Sequence, residues 1–157
     1  MIQRIQTLYL FLSGLLMVLP LFLPILAFVV PEAGAVYAMA SSGVESPQGG
    51  TGELVYPAWA LFVLNILIVL LSYIAIFLYN KRMLQMRMTM FNLFLKAGFY
   101  LLVAFYVYSF RADLGAASEI SLRVWAAAPL VGMILDYLAH RGIAIDDRTI
   151  RYMDRLR

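Results

Sequence analysis

Four long apolar runs constrain what this chain can fold into. They extend from about residue 5 to 30, 57 to 79, 88 to 110 and 123 to 140. A membrane-spanning helix needs about 20 mostly apolar residues, within a range of ~17–25. No run alternates with a period of two, and backbone groups in lipid must be satisfied within the segment, so each run is expected to be helical. The sequence therefore predicts an all-α integral membrane protein, a bundle of four transmembrane helices forming one domain over residues 1–157.

The composition excludes an ordinary soluble domain. Of 157 residues, 64% are hydrophobic and 13% are charged, whereas soluble domains have about 45–50% apolar and about 25% charged residues. There is no cysteine and a single histidine, His140. Disulfides, thiolate metal sites and multi-histidine metal sites are therefore excluded. We expect no metal, no cofactor and no catalytic group, and hence a protein that is not an enzyme.

The distribution of Lys and Arg predicts the orientation, because cytoplasmic loops of membrane proteins carry an excess of these residues. With the N-terminus inside, the outer side holds only Arg111 and Arg123. The inner side holds Arg4, Lys81, Arg82, Arg87, Arg141, Arg148, Arg151, Arg155 and Arg157. Both termini are thus expected in the cytoplasm. The net charge of +3 then reflects topology and contact with anionic lipid headgroups, not nucleic-acid binding.

The first connection, the outer loop of residues 31–56, is expected to be a flexible connector, because serines and glycines such as those at 41–43 favour turns. Before it, Pro20 and Pro24 are each expected to bend the first helix and free a carbonyl. Ala38-Met39-Ala40 resembles a signal-peptidase site. Since the preceding apolar run is longer than the ~7–15 residues of a signal core, an uncleaved first span is expected.

On the inner side, a short loop from Asn80 to Thr89 is expected to join the second and third spans as a hairpin. Gly142 is the expected C-cap of the fourth helix. The tail of residues 141–157 is then predicted to form a short amphipathic helix on the membrane surface. Ile150, Met153 and Leu156 would form its apolar face.

Two ionisable residues lie within the apolar runs, Lys96 in the third and Asp136 in the fourth. Such residues are functional hypotheses by default. Both lie roughly 7–12 Å from the inner boundary at 1.5 Å per residue, so an ion pair between them is predicted, with Asn92 as a third member. The pair is either a proton or ion relay or a structural lock between helices, and Lys96 could instead extend to the interface. Asp136 and His140, four residues apart, are the nearest acid–base groups for an enzyme.

Three segments resemble an uncharacterised family of four-span inner-membrane proteins from Bacteroidota, described as a domain of unknown function. They are the start, Met1-Ile2-Gln3-Arg4-Ile5-Gln6-Thr7-Leu8-Tyr9, the segment Lys81-Arg82-Met83-Leu84-Gln85-Met86-Arg87, and the end, from Ala144-Ile145-Asp146-Asp147 to Asp154-Arg155-Leu156-Arg157. The resemblance covers the whole chain in order. It implies four helices with both termini inside and implies no activity or cofactor.

These observations predict a small accessory subunit of a larger inner-membrane complex, with other integral membrane proteins and the lipid bilayer as partners. The expected docking or lipid contacts on its cytoplasmic face are Gln3, Arg4, Lys81, Arg82, Arg87, Arg148, Arg151 and Arg155. The alternative is a small proton- or ion-linked transporter that uses Lys96 and Asp136, with Asn92.

Overall fold

In the part of the chain that the structure describes, four helices carry a five-stranded antiparallel sheet at one end of their bundle. The structure is a computed structural model that describes residues 3–30, 34–46, 53–114 and 119–155. The helices are α1 (Gln3–Phe22), α2 (Trp59–Phe77), α3 (Arg82–Leu114) and α4 (Ala128–Arg155). The strands are β1 (Leu26–Val30), β2 (Ala35–Ala40), β3 (Gly43–Ser46), β4 (Glu53–Pro57) and β5 (Glu119–Leu122), in the order β4-β3-β2-β1-β5. The expectation of an all-α fold is therefore wrong.

The first apolar run divides into a helix and a strand. α1 ends at Phe22, close to Pro24, which has no N–H to continue the helical hydrogen bonds. The carbonyl of Pro20 is thereby freed, as expected, and it accepts the backbone N–H of Ser41 at 3.1 Å. Residues 26–30 form β1, which pairs with β2 on one side and β5 on the other. A single span over residues 5–30 is thus wrong. The sequence does not show the boundary, because a central strand is as continuously apolar as the end of an apolar helix.

The expected flexible loop of residues 31–56 contains strands β2, β3 and the start of β4 where the structure describes it; residues 31–33 and 47–52 lie outside that part. β2 pairs with β3, and β3 pairs with β4 through an irregularity between Val44 and Glu45. Gly43 has φ +145°, and a Cβ there would lie 2.4 Å from the carbonyl oxygen of Tyr56. Only glycine fits at this first position of β3, because the backbone of β4 lies directly against it.

The sheet packs on the end of α3 through an aromatic cluster. The ring of Phe110, on α3, lies 5.0 Å from that of Phe28 on β1, centroid to centroid. The rings of Tyr37 on β2 and Tyr56 on β4 are each 5.8 Å from it. Aromatic pairs at such distances contribute about 0.5–1.5 kcal/mol beyond their burial. The sheet is therefore part of the hydrophobic core and not a separate domain.

Three helices among the described residues are long and apolar enough to cross a membrane: Ile5–Phe22, Trp59–Phe77 and Arg82–Asp113. α2 matches the second predicted span closely. α3 is longer than the third predicted span, at about 50 Å for its 33 residues. It includes most of the segment from Asn80 to Thr89 that was expected to be a loop. The connection is only a 3₁₀ turn, Leu78–Asn80, followed by Lys81. A short loop of residues 80–89 is thus wrong, while the α2–α3 hairpin is present.

α4 differs most from its prediction. Residues 124–127 form a 3₁₀ turn, and the apolar part of α4, from Ala128 to His140, is about 20 Å long, short of the ~30 Å hydrocarbon core. It contains Asp136, and α4 is not among the helices that meet the criterion for a span. A fourth transmembrane span over residues 123–140 is therefore not supported: in the described part of the chain three helices, and not four, are long and apolar enough to cross a membrane.

The tail continues α4 without interruption and does not form a separate surface helix. Gly142 lies inside α4, where a Cβ would lie 3.1 Å from Cγ of Gln6 on α1. One turn further, Asp146 Oδ2 accepts a hydrogen bond from Gln6 Nε2 at 2.7 Å. Gly142 thus permits close packing of two helices instead of capping one, and the predicted interfacial helix is wrong. The side chains of Ile150, Met153 and Leu156 lie outside the described part.

Candidate functional site

The predicted ion pair between Lys96 and Asp136 is present at the centre of the bundle. Nζ of Lys96, on α3, lies 2.6 Å from Oδ2 of Asp136, on α4, and both side chains have 0% exposure. α3 and α4 run antiparallel, so residues at matching depth face each other. Removing two charges from water is costly unless their remaining hydrogen-bonding capacity is satisfied. The neighbours of the pair therefore determine what it can do.

Ser13, on α1, bonds to both members of the pair. Its hydroxyl lies 2.6 Å from Asp136 Oδ1, to which it donates, and it accepts a hydrogen bond from the ammonium group of Lys96. The carbonyl of Gly132 is a further acceptor, 3.4 Å from Lys96 Nζ. A Cβ at Gly132 would lie 3.3 Å from that nitrogen, so the absent side chain makes room for the ammonium group.

Asn92 is the third member of the cluster, as the sequence predicted. Its Nδ2 lies 3.3 Å from Asp136 Oδ2 and 2.8 Å from the hydroxyl oxygen of Ser72, on α2. Ser72 donates in turn to the carbonyl of Ile68 at 3.0 Å. We call Ser13, Ser72, Asn92, Lys96 and Asp136 the buried polar cluster. It connects all four helices through side chains with at most 1% exposure.

Sequence reasoning missed Ser13, Ser72 and Gly132. Ser13 was one of few polar residues in the first apolar run, and it lies on α1, far from the pair in sequence. Serine is common in membrane helices, where small polar residues join neighbouring helices. Its type therefore suggested a contact but did not identify the partner.

The second candidate region is the basic end, the end of the bundle opposite the sheet, which we define by Lys81, Arg82, Arg87, Arg141 and Arg148. The α2–α3 turn places the first three at this end, and the Gln6–Asp146 bond holds the α4 tail beside the start of α1. Lys81, Arg87, Arg141 and Arg148 are exposed, and Arg82 is half-buried. The side chains of four other predicted contacts lie outside the described part: Gln3, Arg4, Arg151 and Arg155.

Asp136 and His140, the acid–base pair considered for an enzyme, do not hydrogen-bond to each other. Both oxygens of Asp136 already accept hydrogen bonds from the buried polar cluster. Nδ1 of His140 is buried and has no hydrogen-bond partner among the described residues. In that part of the chain no group of three or more His, Cys, Asp or Glu side chains could hold a metal ion.

A family model described as a domain of unknown function, DUF4293, matches residues 2–156. The chain belongs to this family. The family region thus contains the whole bundle, the sheet, the buried polar cluster and the basic end. Among curated proteins, none matches the chain. Membership confirms the resemblance to a domain of unknown function that three segments of the sequence indicated, and it assigns no activity to either region.

Proposed function

We propose that the protein is a non-enzymatic accessory subunit of a larger complex in a bacterial inner membrane, and that it docks through its basic end. The observation that carries this proposal is the collection of cations at one end of the bundle. Lys81 and Arg87 come from α3 and the turn before it, whereas Arg141 and Arg148 come from α4, more than 50 residues later. Folding thus produces one charged surface from separate segments.

The proposed orientation places the basic end in the cytoplasm. Three membrane-length helices support membrane insertion, and the excess of Lys and Arg at this end supports its position inside. The sheet would then lie on the outer side, where Arg111 and Arg123 are the only cations in the sequence. The resemblance to a family from Bacteroidota supports the inner membrane as the location.

The buried polar cluster supports a structural role for Lys96 and Asp136 over an ion relay. Both side chains are fully enclosed, and they bond to groups from α1 and α4 as well as to each other. A relay residue must exchange protons with water on both sides during its cycle. An ion pair whose own polar atoms all have hydrogen-bond partners, as those of Lys96 and Asp136 do, instead holds helices in a fixed arrangement.

Charge reversal on α4 tests the docking proposal. Arg141→Glu combined with Arg148→Glu changes two exposed cations of the basic end and no residue of the buried polar cluster. We expect proteins that co-purify stoichiometrically from native membranes in mild detergent to be lost, because like charges at an interface are strongly unfavourable. The matched control is Arg111→Glu with Arg123→Glu, two exposed cations at the sheet end, which should retain them. Retention by both variants, or loss from both, would contradict docking through the basic end.

A further inference from the structure

A groove begins at the basic end, where α3 starts. Its first part is a cavity of about 560 Å³. The charged residues that line it are Lys81, Arg82, Arg87 and Asp147. Nη1 of Arg82 is buried and has no hydrogen-bond partner among the described residues. Arg82 is half-buried and lines the cavity, so it contributes a cation to the wall that an anionic ligand would meet.

The groove continues along α3 as an apolar channel of about 350 Å³. Met83 and Arg87 line both parts, so the two lie side by side. Beyond them the channel is lined by Met86, Met90, Phe91 and Phe94 of α3, and by His140 of α4. These α3 residues recur every three or four positions, on one face of the helix.

The dimensions of the channel match one leaflet of a bilayer. From Met83 to Phe94 the helix rises about 16 Å, roughly half of the ~30 Å hydrocarbon core. Phe91 and Phe94 are 52% and 66% exposed, so the channel is open along its side to surrounding lipid. A ligand that fits both parts has a charged head at the membrane surface and an apolar chain extending toward the bilayer centre.

We propose that this groove binds an anionic phospholipid, with its phosphate against Lys81, Arg82 and Arg87 and one acyl chain along Met86–Phe94. Three cations and the one carboxylate of Asp147 leave a net charge of about +2, which favours an anionic over a zwitterionic headgroup. His140 of α4 lies along the acyl-chain part of the groove. The site goes beyond the proposed docking function, because it assigns a lipid to one side of the basic end, at Lys81, Arg82 and Arg87, whereas the docking test changes only Arg141 and Arg148 of α4.

The headgroup part is tested on the purified full chain in nanodiscs of phosphatidylcholine with a minority of phosphatidylglycerol. Native mass spectrometry counts the phosphatidylglycerol molecules that remain bound to the protein after it is released from the nanodiscs. Lys81→Gln with Arg87→Gln should lower retention by on the order of tenfold, since each cation near the surface contributes several-fold to anionic-lipid binding. Arg141→Gln is the matched control: it is exposed at the same end but lines neither part of the groove. It should change retention less than about twofold, because a cation that does not contact the bound phosphate acts on it only at longer range, where salt screens the attraction.

The acyl-chain part separates a phospholipid from a soluble phosphate compound. Phe91→Ser with Phe94→Ser should also reduce retention, whereas Phe105→Ser, an equally exposed phenylalanine nearer the sheet end of α3, should not. Soluble glycerol phosphate should compete weakly with the full lipid. Equal retention by the charge variant and wild type, equal loss in Arg141→Gln, or no effect of the phenylalanine changes would overturn the proposal. The experiment contains no protein partner, so its failure is distinguishable from failure of the docking function.

Discussion

Ser41 donates its backbone N–H to the carbonyl of Pro20 at 3.1 Å, and this bond joins the sheet to the end of α1. The acceptor is free because Pro24, four residues later, has no N–H. The Ser41 hydroxyl also accepts a hydrogen bond from Asn65 Nδ2 of α2, at 2.8 Å. The carbonyl of the next residue, Ser42, accepts the N–H of Ala58 at 3.1 Å. The β2–β3 turn is thus inserted between the ends of α1 and α2.

Asn65→Ala should loosen this attachment. Both Asn65 and Ser41 are fully buried. The change leaves the serine hydroxyl without its donor, but it also removes Oδ1 of Asn65, which is buried without a partner in the described part of the chain, so it should cost about 1 kcal/mol of unfolding free energy. Relative to wild type, we expect amide hydrogen exchange in Asn65→Ala to become faster in β2 and β3, and to increase less in α2, as measured by mass spectrometry in detergent. Thr149→Ala is the control, because that exposed hydroxyl bonds only within its own helix, to Ile145; it should change stability by less than about 0.5 kcal/mol. Unchanged exchange in the sheet of Asn65→Ala would show that the side-chain bond does not hold the turn.

The sequence was sufficient to predict the polar pair but not the sheet, for physical reasons that differ. A charged side chain has a high free energy in an apolar segment unless it is paired. The similar depth of Lys96 and Asp136 on antiparallel helices therefore indicates that they meet. Residues 26–30 carry no such signal. A buried strand and the end of an apolar helix have the same hydropathy, and a run of five residues is too short for periodicity to separate them.

The sequence predicts too long an apolar stretch for α4, for a related reason. The apolar residues from Val124 to Ala127 extended the run to the length of a span, although the structure uses them for a 3₁₀ turn before the helix. The sequence predicts Gly142 as a helix cap because glycine commonly ends helices. Its actual role depends on Gln6, on a helix more than 130 residues away, and no local rule includes such a contact.

The orientation can be measured because the sequence contains no cysteine. Thr149→Cys, on the exposed part of the α4 tail, and Ser121→Cys, on exposed β5, each introduce a single thiol at opposite ends of the bundle. If the basic end is cytoplasmic, a membrane-impermeant maleimide should label Ser121→Cys in spheroplasts and Thr149→Cys only after permeabilisation. The cysteine-free wild type controls for background. Labelling of both thiols from outside, or of Thr149→Cys alone, would contradict the proposed orientation.

Asp136→Ala should be strongly destabilising, whereas removing both charges should not. The single change leaves the enclosed ammonium group of Lys96 without its counter-ion, at a cost of about 3–5 kcal/mol, while replacing a buried ion pair with apolar residues of similar volume is often neutral. Lys96→Met with Asp136→Leu should therefore recover most of the stability lost in Asp136→Ala, measured by unfolding in detergent.

If the pair is a structural lock, wild-type protein in liposomes should also show no pH-dependent ion flux that Asp136→Asn abolishes. A folded double variant that loses such a flux would instead assign the pair to transport, because stability would be preserved while the titrating groups were gone.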